Sequence, residues 1–512
     1  MARTDTDRMQ VSSIPSIALG QVPTGQAQTA ATSPKPLPAD APVRAPVIPF
    51  LPDRVTPSGD ESLRHCRSRR THRAHFGKFD AEYFGLLQKY AIGPPEGVLA
   101  SRPLRDGKEA FEARLALVKR AERSIVCTTY AIIHDEHGIK FLEALTAKKK
   151  ESPNVSMVVS IDIVANSMGS LHKKDDDHRR FAAALSAFEA AGGFVAWYGG
   201  LDTQLENLGS GDHMKTLVVD GMTAIAGGRN VGTDYVDDWT DFEEELTGPI
   251  AAQIAERALL VLKHSNPFSI RAETQELRDG YMRAISDIRI DKNTARVKGR
   301  RLLAEARARH EHRRAPLYFI SWDPTHGRKD FPFVPEDLNP ITEALIESAE
   351  RATKRITLSS NYVWGVPELQ AALMDAARRG VAVTVVTTGE EASPGMALSC
   401  YLGARTQYPA LIKAGVKIRE TITHEHGKMY VFDDRIAAFG SYNTEYSAHG
   451  KLVEALIFTS DRTIVGDVNK ALEETITWRS IEVADEKPMR WWQKLQRWFL
   501  MAFNWLLMHF YV

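Results

Sequence analysis

Two segments of the chain place residues capable of chemistry at the same spacing. Each reads His-x-Lys, then four residues and an Asp, then six residues and Gly-[Gly or Ser]-x-Asn. In chain order the pattern is filled by His213, Lys215, Asp220, Gly227, Gly228 and Asn230, and again by His426, Lys428, Asp433, Gly440, Ser441 and Asn443. One such pattern should arise by chance in roughly one chain in ten thousand, so two copies in register indicate a common chemical task.

The residue types suit two-step transfer of a phosphoryl group. On a strand, alternate side chains share a face, so a His and a Lys two residues apart project together, and the Asn returns on the next strand. Lys and Asn offer N–H donors to phosphate oxygens, and the small residues allow close approach. One neutral His attacks phosphorus, while the other, protonated, delivers a proton to the leaving alkoxide. We expect no metal and no cofactor, because the cationic and amide donors stabilise the transition-state charge.

The candidate residues divide into catalytic groups and phosphate ligands. The catalytic set consists of the His, Lys and Asp of each motif, namely His213, Lys215, Asp220, His426, Lys428 and Asp433. The phosphate ligands are the lysines and the amides, namely Lys215, Lys428, Asn230 and Asn443. Within the first set, we expect Asp220 and Asp433 to brace the hairpin rather than to contact substrate.

Other histidines near the motifs have competing interpretations. His424 and His426 lie two residues apart and could share a strand face as a metal pair. We favour no metal there, because the motif already gives His426 a role and further ligands are poorly spaced. His134 and His137 are expected in a loop near the entrance of the site.

Each motif follows a repeat of strands and helices that must position it. A β-branched run leads to a helical pattern and then to a second apolar strand, starting at Ala121, Gly138 and Val155 in the first copy and at Ala349, Pro367 and Val381 in the second. Strand, helix and strand in a short span predict a right-handed parallel unit. Each copy ends in a strand pair around a tight turn, at residues 215–226 and 428–439. The sequence therefore predicts an α/β fold of two similar α/β/α lobes, related by a pseudo-two-fold axis, with one active site at their interface.

Composition excludes several classes of protein. The 65 basic and 65 acidic side chains cancel, which argues against a protein that coats nucleic acid by bulk charge. Three cysteines are too few and too scattered for a disulfide framework or a cysteine-based zinc site, and they indicate a reducing compartment. The chain has no secretory signal and no apolar stretch of about 18 residues, so a conventional spanning helix is not expected.

Changes in composition divide the chain into five parts. Residues 1–60 are rich in proline and alanine, and are predicted to form a disordered arm. The parts that follow are a first lobe at 61–265, a basic helical connector at 266–315, a second lobe at 316–483 and an amphipathic Trp-rich tail at 484–512. We expect the connector to be a solvated helix between the lobes; the alternative is contact with anionic lipid head groups.

The tail also has two interpretations. One stripe of a helix would carry Trp491, Leu495, Phe499, Ala502 and Leu506, which fits a helix packed on the body. Its later part, however, is apolar on nearly every face and its start is basic, an arrangement that suits a membrane interface. We expect membrane association.

The duplicated motif resembles that of the phospholipase D superfamily, and residues 100–480 follow the two-lobe pattern of that superfamily. Within it, the chain is similar to bacterial cardiolipin synthases that lack N-terminal membrane spans. This similarity rests on DGKEAFEARLALVKRAERSI from Asp106, GGRNVGTDY from Gly227 and the Trp-rich tail. The resemblance implies phosphatidyl transfer through a phosphohistidine, with cardiolipin made from phosphatidylglycerol and a second phospholipid. Hydrolysis of head groups by a phospholipase D is the alternative, and nuclease activity is less favoured because the net charge is zero and the tail is apolar.

The resemblance also assigns roles beyond the motif. It implies that the acid eleven residues after each motif Asn, Asp241 or Glu454, orients a catalytic His. Gly228 and Ser441 belong with these acids in a supporting set, and the motif Asp is structural. By the same resemblance, His213 is the nucleophile.

Two features depart from the pattern of the superfamily. The first lobe has Thr128, Thr129 and Tyr130 where relatives often carry a glutamine, and residues 172–180 are unusually charged. The acceptor pocket is therefore expected to differ. The expected partners are a phospholipid and the cytoplasmic face of a membrane, bound peripherally through the tail. No nucleic acid is expected, and the sequence indicates no protein partner.

Overall fold

The computed structural model describes residues 76–199, 210–265, 274–309, 314–324, 339–393 and 397–483, together with the helical positions 491, 495 and 498. All of the described residues lie within one compact unit. The predicted arm, the start of the predicted first lobe and most of the tail therefore lie outside the described residues.

Helices and strands alternate along the described chain. The helices are α1 (Ala81–Tyr90), α2 (Gly107–Arg120), α3 (Glu136–Glu151), α4 (Ile163–Ser170), α5 (Asp175–Ala190), α6 (Thr233–Asp237), α7 (Pro249–His264), α8 (Gln275–Ala308), α9 (Pro340–Arg351), α10 (Pro367–Arg378), α11 (Ala397–Arg405), α12 (Tyr408–Lys413), α13 (Tyr446–Gly450) and α14 (Arg462–Trp478). Several begin at a side chain that caps free backbone N–H groups, as Asp106 does for α2 and Asp135 for α3.

The strands fall into two groups along the chain. They are β1 (Ala100–Leu104), β2 (Ser124–Thr129), β3 (Ser156–Asp162), β4 (Phe194–Tyr198), β5 (Gly211–Asp212), β6 (Thr216–Val219), β7 (Thr223–Gly227), β8 (Glu243–Thr247), β9 (Leu317–Trp322), β10 (Arg355–Ser359), β11 (Ala382–Thr388), β12 (Lys417–Thr421), β13 (Met429–Phe432), β14 (Ile436–Gly440), β15 (Leu452–Thr459) and β16 (Ser480–Glu482). Interior strands of the sheets, such as β2, β3 and β13, are buried at every position, as expected for sheets covered by helices on both faces.

Two sheets with the same internal order form the lobes. The first runs β1-β8-β7-β6-β2-β3-β4 within the described residues. The second runs β16-β12-β11-β10-β13-β14-β15, and β9 and β5 both pair with β15. In each sheet three strands are parallel, β2–β3–β4 and β10–β11–β12, and the motif hairpin, β6–β7 or β13–β14, is antiparallel. The predicted α/β fold of two similar lobes is confirmed.

The motif hairpins turn through two residues that have positive φ. Asp220 and Gly221 have φ values of 53° and 60°, and Asp433 and Asp434 have values of 53° and 57°. Positive φ at both central residues is the geometry of a type I′ turn, which matches the twist of paired strands. Asp and Gly tolerate this conformation better than most residues. The turns fix the register of each hairpin, and with it the position of the motif His and Lys at the other end.

A shared hydrophobic core joins the lobes. Helix α7 lies in this core, with Ile250 and Ile254 buried among residues of both sheets. Across the junction, the rings of Phe242 and Phe439 meet edge to face with centroids 5.5 Å apart. Burial of apolar surface stabilises a fold by about 25 cal/mol per Å², and moving the lobes apart would expose the core that they share. The shared core therefore holds the two lobes in one relative orientation.

The predicted lobe boundary differs from the structure at the N-terminal side. The predicted first lobe begins at residue 61, yet Phe79, Tyr83 and Leu87 are buried in the core of the second lobe. The Tyr83 hydroxyl lies 2.8 Å from Ser348 Oγ of α9. Helix α1 therefore packs on the second lobe, a long-range contact that local sequence patterns do not encode.

The connector and the tail contain helical positions. Helix α8 lies within the predicted connector and packs along α7, and its Arg296 and Arg300 form ion pairs with buried Glu96. In the tail, the described side chains of Trp491, Leu495 and Trp498 are 77%, 58% and 55% exposed. Among the described residues, no helix is long and apolar enough to cross a membrane.

Candidate active site

The motif aspartates lie in the hairpin turns, where they hold the backbone. Asp220 Oδ1 accepts N–H groups from Arg123 and Ser124 at 2.8 and 3.0 Å. Asp433 Oδ1 accepts the equivalent N–H groups of Lys354 and Arg355 at 2.7 and 3.0 Å. A strand rises about 3.3 Å per residue, so an offset of five positions from the motif Lys to the Asp places the carboxylates roughly 16 Å from the lysines.

The structure does not bring Asp220 and Asp433 to the motif histidines and lysines. Their prediction as catalytic residues is therefore corrected. Their expected role in bracing the hairpins fits their position.

The motif lysines lie beside the histidines of their own lobe. Lys215 Nζ donates to the carbonyl oxygen of His213 at 2.6 Å, and Lys428 Nζ donates to that of His426 at 2.5 Å. Both lysines are buried, at 3% and 1% exposure. The two motifs thus have the same local geometry, with an ammonium group held against each histidine.

Short backbone pairings carry each histidine into the opposite lobe. Strand β5, which directly precedes His213, pairs with the start of β15, and His213 N donates to Val453 O at 3.0 Å. In the other direction, His426 N donates to Thr240 O at 2.7 Å. Val453 and Thr240 each precede the acid that follows its motif by eleven residues. The two lobes therefore exchange these segments symmetrically.

Each histidine is oriented by a carboxylate from the other lobe. His213 Nδ1 donates to Glu454 Oε1 at 2.8 Å, and His426 Nδ1 donates to Asp241 Oδ2 at 2.7 Å. The histidines are 6% and 5% exposed. A carboxylate on Nδ1 fixes the tautomer that leaves the Nε2 lone pair for attack or proton transfer.

The supporting set differs between the lobes. A side chain at Gly228 would collide with the Asp241 carboxylate, so glycine is required for the acid to lie against the turn. At the equivalent position of the second lobe, Ser441 Oγ donates to Glu454 Oε2. Glu454 beside Ser441 and Asp241 beside Gly228 therefore hold the two motif histidines in equivalent ways.

Electrostatics keep the histidines neutral in the free protein. Burial, reinforced by the two lysines, lowers the pKa of His213 and His426 well below the ordinary value near 6.5. Burial, followed by the charge of Lys428, lowers the pKa of Lys215 to about 7. A bound phosphodiester adds negative charge and raises these pKa values, so substrate binding favours the protonated acid that the leaving group needs.

The motif amides differ in their partners. Asn230 Nδ2 donates to the Tyr235 hydroxyl at 2.7 Å, whereas Asn443 Nδ2 donates to Glu445 Oε1 at 2.9 Å. An amide has two N–H donors, so each Asn keeps one more for a phosphate oxygen.

Aromatic rings line the site, and the motif spacing did not indicate most of them. The rings of Tyr235 and Trp239 lie 5.2 and 5.4 Å from that of His426, and Trp239 lies 4.1 Å from His424. On the other side, Tyr130 meets His213 edge to face at 4.7 Å. Tyr235 and Trp239 follow the first motif Asn closely, and that proximity is the one signal the sequence offered.

The other histidines have partners outside the phosphate centre. His424 Nδ1 donates to the Ala392 carbonyl at 3.0 Å. His134 Nδ1 lies 2.7 Å from His178 Nδ1, and His137 packs edge to face on Phe111. Within the described ranges, no group of three or more His, Cys, Asp and Glu side chains is arranged to hold a metal ion.

Comparisons with known proteins agree with this geometry. Residues 345–476 match a family profile described as "Cardiolipin synthase, PLD-like domain". Cardiolipin synthase B of Salmonella typhi is 24% identical over 415 residues, covering 79% of this chain and 86% of the relative. A cardiolipin synthase of Clostridium perfringens is also 24% identical, over 381 residues, covering 72% of this chain and 68% of the relative.

A solved structure shares the fold. The crystal structure of phosphatidylserine synthase from Haemophilus influenzae superposes with a TM-score of 0.60 at 16% identity, covering 84% of this chain and 100% of that one. With two complete motifs facing each other across similar lobes, the chain is similar to bacterial cardiolipin synthases, and its second lobe matches their PLD-like domain.

Proposed function

We propose that the protein transfers a phosphatidyl group from one phospholipid to the head-group hydroxyl of another, making cardiolipin from phosphatidylglycerol and a second phospholipid. The observation that carries this proposal is the pair of buried histidines, each held through Nδ1 by a carboxylate from the opposite lobe. Similarity to cardiolipin synthases over 79% of the chain supports the lipid substrate.

In the first step, His213 Nε2 attacks the phosphorus of phosphatidylglycerol. A P–N bond forms and the bond between phosphorus and the glycerol oxygen breaks. His426 Nε2–H gives its proton to the departing alkoxide, and glycerol leaves. Lys215, Lys428 and the free N–H groups of the motif amides stabilise the charge on the equatorial oxygens.

In the second step, the hydroxyl of a second phospholipid attacks the phosphohistidine. Its proton passes to His426 Nε2, the P–N bond breaks and His213 regains its lone pair. Transfer requires that this hydroxyl outcompete water. The low exposure of both histidines and the aromatic side chains beside His426 support an environment in which water is restricted.

Peripheral attachment to the cytoplasmic face of the membrane through the tail belongs to the same proposal. Trp491, Leu495 and Trp498 are exposed and lie at i, i+4 and i+7, which places them on one face of a helix. Aromatic and aliphatic side chains on one face beside Lys494 and Arg497 suit the lipid head-group boundary.

The test is product identification by mass spectrometry, with labelled phosphatidylglycerol in vesicles, with and without phosphatidylethanolamine. Cardiolipin together with released glycerol is the expected result; released ethanolamine would show that phosphatidylethanolamine replaces phosphatidylglycerol as the donor in the first step, with the phosphatidylglycerol hydroxyl as the acceptor. Phosphatidic acid as the main product would select the alternative, hydrolysis by a phospholipase D. His213→Ala with the same vesicles serves as the blank.

A further inference from the structure

The two lobes also differ beside the phosphate centre shortly after the motif Asn. Two residues after the motif Asn, the second lobe has Glu445, and the first lobe has Gly232. Glu445 Oε1 accepts the Asn443 amide N–H at 2.9 Å, in place of the neutral Tyr235 hydroxyl that the first lobe offers to Asn230. The centre is therefore symmetric in its histidines and lysines but not in this carboxylate.

Glu445 is held at the centre by its hydrogen bond with the motif amide of Asn443. Its carboxylate is close enough to Lys428 and Lys215 to interact electrostatically with both, and it also interacts with Tyr130. The Tyr130 ring is 4.7 Å from that of His213 and 5.1 Å from Lys215 Nζ. Glu445 and Tyr130 are both partly exposed. A ligand that occupies the centre therefore meets this carboxylate on one side.

A carboxylate in this position does not help to bind phosphate. Like charges repel, and Asp241 and Glu454 already hold the two histidines. An ionised carboxylate accepts hydrogen bonds from up to about four directions, and Asn443 and Ser447 occupy two of them. Its natural ligand is an O–H or N–H donor that is covalently close to the phosphate.

The surroundings of His426 have a different character. Beside His426 the rings of Tyr235 and Trp239 are 4.5 Å apart and present aromatic surface. A bound phosphodiester therefore has aromatic rings available to an apolar substituent and a carboxylate available to a hydroxyl-bearing one. The lysines also decide between donors, because Lys215 and Lys428 repel an ammonium but not a neutral hydroxyl.

We infer that Glu445 is a specificity-determining residue that accepts a hydrogen bond from a hydroxyl of a polyol head group attached to the bound phosphate. The inference rests on the proposed function and names the part of the site that selects the alcohol. Glu445 binds the hydroxyl adjacent to the phosphoester carbon, and Tyr130 forms the facing wall.

The test compares the affinities of three phosphate monoesters for the full-length protein and for Glu445→Gln. The esters are glycerol phosphate, ethyl phosphate and ethanolamine phosphate, measured by calorimetry in the absence of lipid. The glutamine keeps an oxygen that accepts the Asn443 amide N–H, removes the charge and replaces the other acceptor oxygen by an NH2 donor. The wild type should bind glycerol phosphate about tenfold more tightly than ethyl phosphate, and Glu445→Gln should lose that preference.

Each other outcome overturns the inference. No preference in the wild type, or a preference that survives in Glu445→Gln, removes Glu445 from head-group binding. Weaker binding of ethyl phosphate by the variant indicates a structural role, since loss of a negative charge should leave that affinity unchanged or improve it. Ethanolamine phosphate bound most tightly, in a Glu445-dependent way, assigns the position to an ammonium. These measurements need no turnover, so a lipid assay that yields only phosphatidic acid contradicts the proposed function separately.

Discussion

The Asp241 carboxylate of the first lobe lies 2.7 Å from Nδ1 of His426, a residue of the second lobe 185 positions further along the chain. Glu454 of the second lobe holds His213 of the first at 2.8 Å. Neither lobe therefore orients its own histidine. The contribution of each of these two hydrogen bonds to catalysis can be measured.

Asp241→Asn and Glu454→Gln should each lower kcat by roughly 10²- to 10⁴-fold, because an amide no longer holds the imidazole tautomer that exposes the Nε2 lone pair. Steady-state kinetics on phosphatidylglycerol vesicles measure this effect, and KM should change little. Glu245→Gln, on β8 and paired with exposed Arg102, is the matched control and should keep wild-type activity. A kcat within threefold of wild type in both site variants would refute the orienting role.

His213→Ala and His426→Ala should each lower turnover by at least about 10³-fold without loss of folded structure, because each histidine has a role that the other cannot cover in the same step. Rapid acid quench and peptide mass spectrometry should find the covalent adduct on His213. His137→Ala, outside the centre, should remain active. An adduct on His426 would exchange the two roles.

Sulfate should bind less tightly as pH rises from about 6 to about 8, because the pKa of Lys215 is about 7 and its ammonium is charged below that value and neutral above it. Sulfate keeps a constant charge over this range, and burial lowers the pKa of both histidines in the free protein. Inhibition constants or calorimetry provide the measurement. In Lys215→Met the affinity should be weaker and independent of pH, and a slope that persists there would assign the titration to another group.

Asp433→Ala should lower the free energy of unfolding by about 2–4 kcal/mol, because three backbone N–H groups lose their acceptor. Asp434→Ala is a close control, since Asp434 has the same positive φ but an exposed side chain. Its ion pair with Arg355 is worth at most about 1 kcal/mol. Chemical denaturation compares the two variants, and equal losses would show that the turn conformation alone accounts for the effect.

Removal of residues 488–512 should move the protein from the membrane to the soluble fraction and lower its activity on vesicles. Burying each large side chain at a bilayer interface contributes at most about 1.5–3 kcal/mol, so several together decide attachment. Activity on a short-chain, dispersed substrate should persist, because both motifs precede the cut. Loss of solubility or unfolding of the truncated chain would instead make the tail part of the packed body.

The sequence was sufficient for those features whose determinants are local. The alternation of β-branched runs and helical patterns predicted β2, α3 and β3, and the motif spacing predicted both hairpins. Paired His and Lys side chains on one strand face follow from the two-residue period of a strand. The choice of Asp at the turn, with positive φ, likewise depends only on its neighbours.

Sequence patterns did not predict the features that depend on how the two lobes pack against each other. The resemblance to known synthases implied that Asp241 and Glu454 orient histidines, but which histidine each one holds follows from the pairing of β5 with β15 across the interface. The packing of α1 on the second lobe has the same origin, since Tyr83 and Ser348 are 265 positions apart. The rings of Tyr235 and Trp239 reach His426 only after docking.

The exchange of carboxylates between lobes also affects when the protein becomes reactive during its synthesis. Glu454 follows His213 by 241 positions, so at roughly 5–20 residues per second a ribosome needs about 10–50 seconds to supply it. During that interval His213 lacks the group that sets its tautomer, even in a first lobe that has already folded. The catalytic centre of a nascent chain is therefore incomplete until its second lobe has emerged and docked.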